Sequence, residues 1–402
     1  MADMNQIVKY GNEMEEDLLR NTLPFWLKLA DREHGGFFGE VSADGVVNAS
    51  ARKGGILMSR ILWTFSHAYL FYPDEKYRNA ADHVFSFIDQ KMWDEEYDGV
   101  YYAVNYLGRP LDIKKHLYCE SFAMYGLSEY YRAFKNKRAL DLAVTIFNRM
   151  EESASFTQHG GFLDICDRDW TLYPDLLSGR FFPPKTMNTH LHIMEGLTSL
   201  YRVHKDDRLA ARLASMIDLF LTTIINNETH HFKLFFDDAW KSKNNVESYG
   251  HDIEGSWLLC EAAEVLGDEP LIIRTRDNAV KMADAVRRKA LDDDGAILYE
   301  GEDGKITADS KDWWPQAENV IGMFNAWQIS GDDAFLNASM KTWEFIRDRV
   351  IDHVHGEWHA SVKRDGSAMP GRLVSFWKCP YHNGRMVLEM KERIAKSLSL
   401  KK

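Results

Sequence analysis

The sequence has no apolar run approaching the ~20 residues that a membrane-crossing helix needs. Its first stretch, Met1 to Leu19, is polar and acidic, without the basic-then-apolar order of a secretory leader. Cysteine is scarce: Cys119, Cys166, Cys260 and Cys379 lie far apart and form no CxxC pair. That excludes a disulfide framework and a cysteine-based zinc site, and leaves buried, reduced thiols and a cytoplasmic location as the expectation. Basic charge is in deficit, 49 Lys and Arg against 61 Asp and Glu for a net −12, and no basic block stands out. Phosphate backbones require such a block, so nucleic acid is not an expected partner. Three further signatures are missing: a GxGxxG loop after a strand, a GxxxxGK[ST] loop, and a GxSxG nucleophile elbow. No cofactor is therefore expected, and no serine nucleophile.

What the 402 residues do contain is 45% apolar and 13% aromatic side chains, enough for a large globular core. They also contain a repeat. Six segments share a turn residue, usually glycine, followed by alternating aromatic or aliphatic residues: HGGFFGEV, EYDGVYYAV, QHGGFLDIC, HHFKLFFDD, DDGAILYEG and HGEWHASV. Anchored at Gly36, Gly99, Gly161, Phe232, Gly295 and Gly356, they recur at intervals of 63, 62, 71, 63 and 61 residues. The alternation predicts short strands or hairpin arms, too brief and too widely spaced to build one sheet.

Between these connections there is room for two helices. Ile61, Leu62, Phe65, Ala68 and Tyr69 share one helical stripe, as do Met124, Leu127, Tyr131 and Phe134, and Ile193, Leu197, Leu200 and Tyr201. The second helix of each pair reads similarly over 80–87, 139–147, 209–221, 272–286 and 334–350. Six helical hairpins cannot each bury an apolar face alone, whereas stacked in a ring they can. The predicted fold is all-α, an (α/α)6 barrel of six helical hairpins with short β-hairpin connections. No linker or composition shift divides the chain, so residues 1–402 form one expected domain. Nothing in the sequence specifies an oligomer, and a monomer is the simplest expectation.

Polar and aromatic residues gather where each repeat re-enters a core helix. The openings carry Arg60 and Trp63; Tyr118 and Glu120; Asn188, His190, His192 and Glu195; His251, Glu254 and Trp257; Trp313, Trp314 and Glu318; and Trp377, Tyr381, His382 and Arg385. In a ring these openings converge at one mouth, and convergent polar groups among aromatics suit a small-molecule pocket. A lone histidine beside aromatic residues is more often structural than catalytic. His251 and His382 stand apart because they occupy equivalent places in their repeats. Glu254, three residues after His251, shares its helical face and is placed to hold an imidazole tautomer. His190 and His192 sit about 200° apart on a helix, so only one of them faces the mouth. Trp313, Trp314 and Trp377 offer indole faces that suit a sugar ring, against the ordinary expectation of core aromatics.

His192, His251, Glu254 and His382 could in principle ligate a metal, but no HExxH or ExxH spacing supports that, and no metal is expected. Imidazoles, carboxylates, an arginine and tryptophans suit general acid–base work on a neutral polyol, because an imidazole can be base in one form and acid in the other. Two histidines on opposite sides of an open-chain sugar could take a proton from the carbon next to the carbonyl and return it on the other face. Arg60 or a neutral histidine could stabilise the enediolate oxygen.

At these residues the sequence resembles the N-acylglucosamine 2-epimerase superfamily, in its cellobiose 2-epimerase branch. The resemblance rests on SRILWTFS (59–66), KTMNTHLHIMEGLTSLYR (185–202), YGHDIEGSWLL (249–259), WWPQAE (313–318) and WKCPYHNGRMVLE (377–389). It implies an (α/α)6 barrel and reversible 2-epimerisation of the reducing-end glucose of β-1,4-linked disaccharides such as cellobiose and lactose, through a cis-enediolate. It further implies His251 and His382 as the paired acid/base histidines, His192 as the ring-opening histidine, Arg60 at the O1/O2 region, and Glu254 as the carboxylate beside His251. Tyr118 and Asn188 match substrate-binding residues, Trp314 and Trp377 stacking tryptophans, and Glu318 a supporting carboxylate. The long stretch from Asp167 to Pro184, with Trp170 and Tyr173, is expected at the rim. Three other readings compete: an epimerase or isomerase of free mannose, a glycoside hydrolase using Glu254 and Glu318, and a non-catalytic sugar-binding barrel.

Overall fold

A computed structural model describes residues 4–154, 157–173 and 183–399. Six helices form an inner ring: α3 (Gly55–Phe71), α5 (Leu117–Phe134), α7 (Met187–Val203), α9 (Tyr249–Leu266), α11 (Trp313–Ser330) and α13 (Tyr381–Ser399). Each packs on the next, and α13 packs back on α3 to close the circle. An outer layer consists of α1 (Met4–Asp17), α4 (Glu75–Phe87), α6 (Lys137–Ala154), α8 (Asp207–Leu219), α10 (Glu269–Lys289) and α12 (Asp333–Phe345), while α2 (Leu23–Leu27) is a short continuation near α1. Five outer helices pack on the inner helix that precedes them in the chain; the sixth, α1, packs on α13. The barrel predicted from the repeat is thus present, with its sixth pair made by the two ends of the chain. None of the described helices is long and apolar enough to cross a membrane, and all four cysteines are buried and unpaired.

The two layers differ in sequence because they differ in surroundings. Inner helices are covered on every side, so nearly all of α9 from Tyr249 to Ala263 is buried. Outer helices bury one stripe, as α4 does with Tyr77, Ala80, Ala81 and Val84. A capping side chain opens each outer helix after the short inner-to-outer turn. Asp74, Asp206, Asp268 and Asp332 accept from backbone N–H groups of the first turn, and Asn136 accepts from Ala139 N. These caps reverse the chain within a few residues and so place all inner-helix N-termini at one end.

At that end the predicted strands are two to four residues long, and most of them staple neighbouring repeats. Residues 53–54 pair with 103–104, 115–116 with 165–166, 185–186 with 235–236, 246–248 with 300–302, and 311–312 with 361–362. The repeated turn geometry has a steric cause at Gly99 and Gly161. Both have positive φ, 77° and 73°, and a Cβ there would lie 2.9 Å from the Glu120 carboxylate or the His190 ring respectively. The following N–H, of Val100 or Phe162, donates to that same Glu120 or His190 side chain. Asp252 and Gln316 accept from Phe232 and Ile297 in the same way. All four acceptors are the fourth residue of their inner helix. His190 is therefore a structural cap, its Nδ1 engaged by the Thr186 carbonyl at 2.7 Å.

Ahead of the inner helices lies a second repeated device, a buried lysine: Lys53, Lys115, Lys185, Lys311 and Lys378. Lys53 Nζ donates to Asp31 Oδ2 at 2.7 Å and to the Gly35 carbonyl at 2.6 Å, and Lys378 donates to Glu357 at 2.7 Å. A buried charge deprived of its partner is costly. Lys53→Met is expected to lower unfolding stability by about 3–5 kcal/mol. The double variant Asp31→Asn/Lys53→Met should recover most of that loss in denaturant melts.

Candidate active site

The inner-helix N-termini bring Arg60, Phe122, His192, Glu254 and Glu318 together, each the sixth residue of its helix. The second residue lies one turn earlier on the same face and supplies Tyr118, Asn188, Trp314 and His382. Contacts among them are direct. The Tyr118 and Phe122 rings lie 4.9 and 4.7 Å from His192. Arg60 donates to Tyr118 Oη at 2.8 Å and to the Trp377 carbonyl at 3.3 Å, with its guanidinium 4.1 Å above Phe122. His251 and His382 both pack on one indole, that of Trp314, at 4.7 and 5.6 Å between ring centroids.

Each of the three histidines is anchored through Nδ1. His382 Nδ1 meets Glu318 Oε1 at 2.7 Å, His192 Nδ1 meets Glu195 Oε2 at 2.8 Å, and His251 Nδ1 meets Ser248 Oγ at 2.7 Å. A carboxylate accepting from Nδ1–H leaves Nε2 without a hydrogen, which is the basic tautomer. Burial, with His192 nearby, holds His251 down at about 3. Burial also holds His382 well below the ordinary imidazole value, and the Arg60 and Arg385 guanidiniums push in the same direction. Both rings are accordingly neutral at neutral pH and able to accept a proton.

One guanidinium lies beneath this group. Arg385, fully buried, donates from Nη2 to Glu254 Oε1 and Glu318 Oε1, each at 2.6 Å, and from Nη1 to Glu195 Oε1 and Tyr381 Oη. Tyr381 Oη itself donates to Glu195 Oε1. Burial raises the Glu254 carboxyl to about 7, aided by Glu318 and opposed by Arg385. Glu318 is raised by burial against the pull of the same arginine. At Glu195 burial pushes upward, but Arg385, His192 and Tyr381 outweigh it and the carboxyl sits below its usual value. Glu254, Glu318 and His382 also present the one donor set of metal-ligand geometry among the described residues. Arg385 Nη2 already bonds both carboxylates, so a cation occupies that place.

A cavity of about 340 Å³ opens onto the site, lined by Tyr118, Asn188, His251, Glu300 and Trp377 among others. Asn188 lines the cavity, and its Oδ1 is buried with no hydrogen-bond partner among the described residues. Trp377 is 47% exposed and stands edge-on to Tyr118. His382, His192 and Arg60 do not line the cavity; they are buried one layer deeper, against Trp314, Tyr118 and Trp377.

All ten residues given a site role from the sequence fall in this region, with one change of register and one of partner: His251 is the third residue of α9 and His382 the second of α13, so their places are not equivalent. Glu254 does not hold His251, which pairs with Ser248 instead; Glu254 turns to Arg385, because a buried guanidinium attracts a carboxylate more strongly than a neutral ring does. Glu195, Tyr381 and Arg385, named in the sequence only among the helix openings, take part in the site, and Ser248 is added to it. Their available signal was the three-residue spacing, since Glu195 follows His192, Arg385 follows His382 and Ser248 precedes His251 by one helical turn. Of the expected rim, Trp170 is buried with its Nε1 on the Tyr97 carbonyl, and residues 174–182 lie outside the described residues.

The sequence profile of the N-acylglucosamine 2-epimerase (GlcNAc 2-epimerase) family matches residues 36–382. The chain belongs to that family. Among its relatives is a cellobiose 2-epimerase of Bacteroides fragilis, 43% identical over 96% of this chain and 99% of the other. The solved structure of cellobiose 2-epimerase from Bacillus thermoamylovorans B4167 is 36% identical and superposes with a TM-score of 0.92, over 96% of this chain and 99% of that one. A D-mannose isomerase of Marinomonas mediterranea is more distant, 22% identical over 90% of this chain and 93% of its own length.

Proposed function

We propose that this chain, acting as one catalytic domain, reversibly epimerises C2 of the reducing-end glucose in β-1,4-linked disaccharides such as cellobiose and lactose, giving the mannose epimer. The observation that carries the reading is the pair of Nδ1-anchored, neutral imidazoles, His251 and His382, packed on the same indole, that of Trp314. Identity to cellobiose 2-epimerases over nearly the whole chain supports the disaccharide substrate over a free monosaccharide.

In this mechanism His192, held by Glu195, moves the proton between O5 and O1 that opens the pyranose ring. The aldehyde acidifies C2–H. One imidazole of the pair removes that proton through Nε2, the C2–H electron pair becomes the C1=C2 double bond, the carbonyl π pair moves onto O1, and a cis-enediolate forms. Arg60 balances the new negative charge. The C2–C3 bond rotates, and the other imidazole, carrying a proton, delivers it to the opposite face of C2. The resting pair is neutral: the ring that takes the C2 proton later gives it up to solvent, and the other ring draws its proton from solvent while the enediolate charge is present, so protons balance over the turnover. Burial makes each imidazolium a strong acid in the empty site, and the enediolate charge offsets that penalty when a proton must be held. Tyr118, Asn188, Trp314 and Trp377 bind and orient the sugar.

Turnover of cellobiose in D2O tests the reading. Deuterium is expected at C2 of the product, seen as loss of the H2 resonance, with the number of reducing ends unchanged. Product that retains its C2 hydrogen through many turnovers would exclude a relay between two solvent-exchanging histidines and would point to one base that carries the proton from face to face. New reducing ends would point instead to hydrolysis by Glu254 and Glu318, a role that sharing one Arg385 nitrogen makes unsuitable for either carboxyl.

A further inference from the structure

Arg385 does not line the cavity and is hydrogen-bonded to none of the three histidines, yet it binds a carboxylate from each of three inner helices. Glu195 comes from α7, Glu254 from α9 and Glu318 from α11, while Arg385 itself projects from α13. Two of those carboxylates hold histidines: Glu195 holds His192 and Glu318 holds His382. The guanidinium is sandwiched against Trp257 and Tyr381, at 4.8 and 4.3 Å from their ring centroids, so it cannot swing toward one carboxylate without leaving another.

Building on the function proposed above, we infer that Arg385 is a positioning residue that couples the ring-opening histidine, His192, to the epimerising histidine, His382, through Glu195 and Glu318. A change of charge at either dyad is then felt at the other. This follows from Coulomb interaction among groups a few ångströms apart in a buried, low-dielectric site. The groups that face this centre are Arg60 from α3, Tyr118 and Tyr125 from α5, His192 and Glu195 from α7, His251 and Glu254 from α9, Glu318 from α11, and Tyr381 and His382 from α13. Among these, Arg60 and Arg385 are the permanent cations, and only Arg385 bonds the carboxylates.

Removing the Arg385 charge raises the proton affinity of Glu195, Glu254 and Glu318 and also that of His382. Every one of these shifts moves the loss of activity on acidification to higher pH. Removing the Glu195 charge does the reverse, because Arg385 then acts on two carboxylates instead of three and one repelling anion is gone. The experiment measures kcat and KM for cellobiose across pH, together with titration of the histidine ring protons by NMR, for the full-length enzyme and three variants. In Arg385→Met, kcat is expected to fall by about 100-fold or more. KM should stay within about 3-fold, and the acid limb and the His382 resonance should move up by about one pH unit. Glu195→Gln should move both downward, although residue 195 touches His192 and not His382. Arg385→Lys should keep the acid limb near the wild-type position and still lose kcat, because one ammonium cannot replace a two-pronged guanidinium.

An acid limb and His382 titration unmoved in both Arg385→Met and Glu195→Gln, or shifted the same way in both, would overturn the coupling. If Arg385→Met does not fold, Glu195→Gln decides alone, since it keeps the guanidinium and is nearly isosteric. A wild-type enzyme inert on cellobiose would remove the proposed reaction without touching the coupling, which the NMR titrations still report.

Discussion

Replacing His382 with Asn is expected to leave cellobiose bound and unconverted, with kcat for epimerisation reduced by at least ~10⁴-fold. The dissociation constant should stay within about 3-fold. Asparagine is the informative substitution because its side-chain amide can still donate to Glu318, which otherwise would be left as a buried carboxylate short of one partner. The fold is thereby spared while the proton-carrying nitrogen, Nε2, is lost. Product formation is followed by NMR and binding by calorimetry. In D2O the variant makes a sharper statement. His251 remains, so the C2 hydrogen of one epimer should still exchange with solvent although no epimer is formed. His251→Asn should show the mirror result, exchange confined to the other epimer. Exchange from both epimers in either variant would mean that one base serves both faces, and the two-histidine mechanism would fall.

The helical ring was legible in the sequence because its determinants are local and repeated. The interval between turn glycines, the stripes on the outer helices and the polar openings of the inner ones can each be read within a few dozen residues. Closure was less legible: that α1 pairs with α13 depends on the chain's ends meeting, which no local pattern encodes. The choice between His190 and His192 became physical only once their helix was set in the ring. His190 falls at the capping position shared with Glu120, Asp252 and Gln316, and His192 falls two residues later at the position of Arg60, Glu254 and Glu318. An alignment of the six openings by helix start would have shown both registers. Partners across helices were out of reach. Glu318 and His382 are 64 residues apart, Arg385 and Glu195 are 190 apart, and spacing along one helix says nothing of them.

That limit bears directly on which carboxylate matters most for tautomer control. The sequence pointed to Glu254, three residues beyond His251, whereas the structure gives His251 a hydroxyl and gives His382 the carboxylate of Glu318. Glu318→Gln is therefore expected to cost kcat about 10³- to 10⁴-fold, since an amide that offers its NH2 to Nδ1 favours the tautomer with Nε2 protonated, the wrong form for a base. Ser248→Ala should cost no more than about 10-fold, because a neutral hydroxyl contributes roughly 1 kcal/mol to holding a ring that also stacks on Trp314. The contrast is read from kcat on cellobiose at a pH where both rings are neutral. Equal losses in the two variants would mean that Nδ1 anchoring acts only by orientation, and the charge of Glu318 would then have no part in making His382 basic.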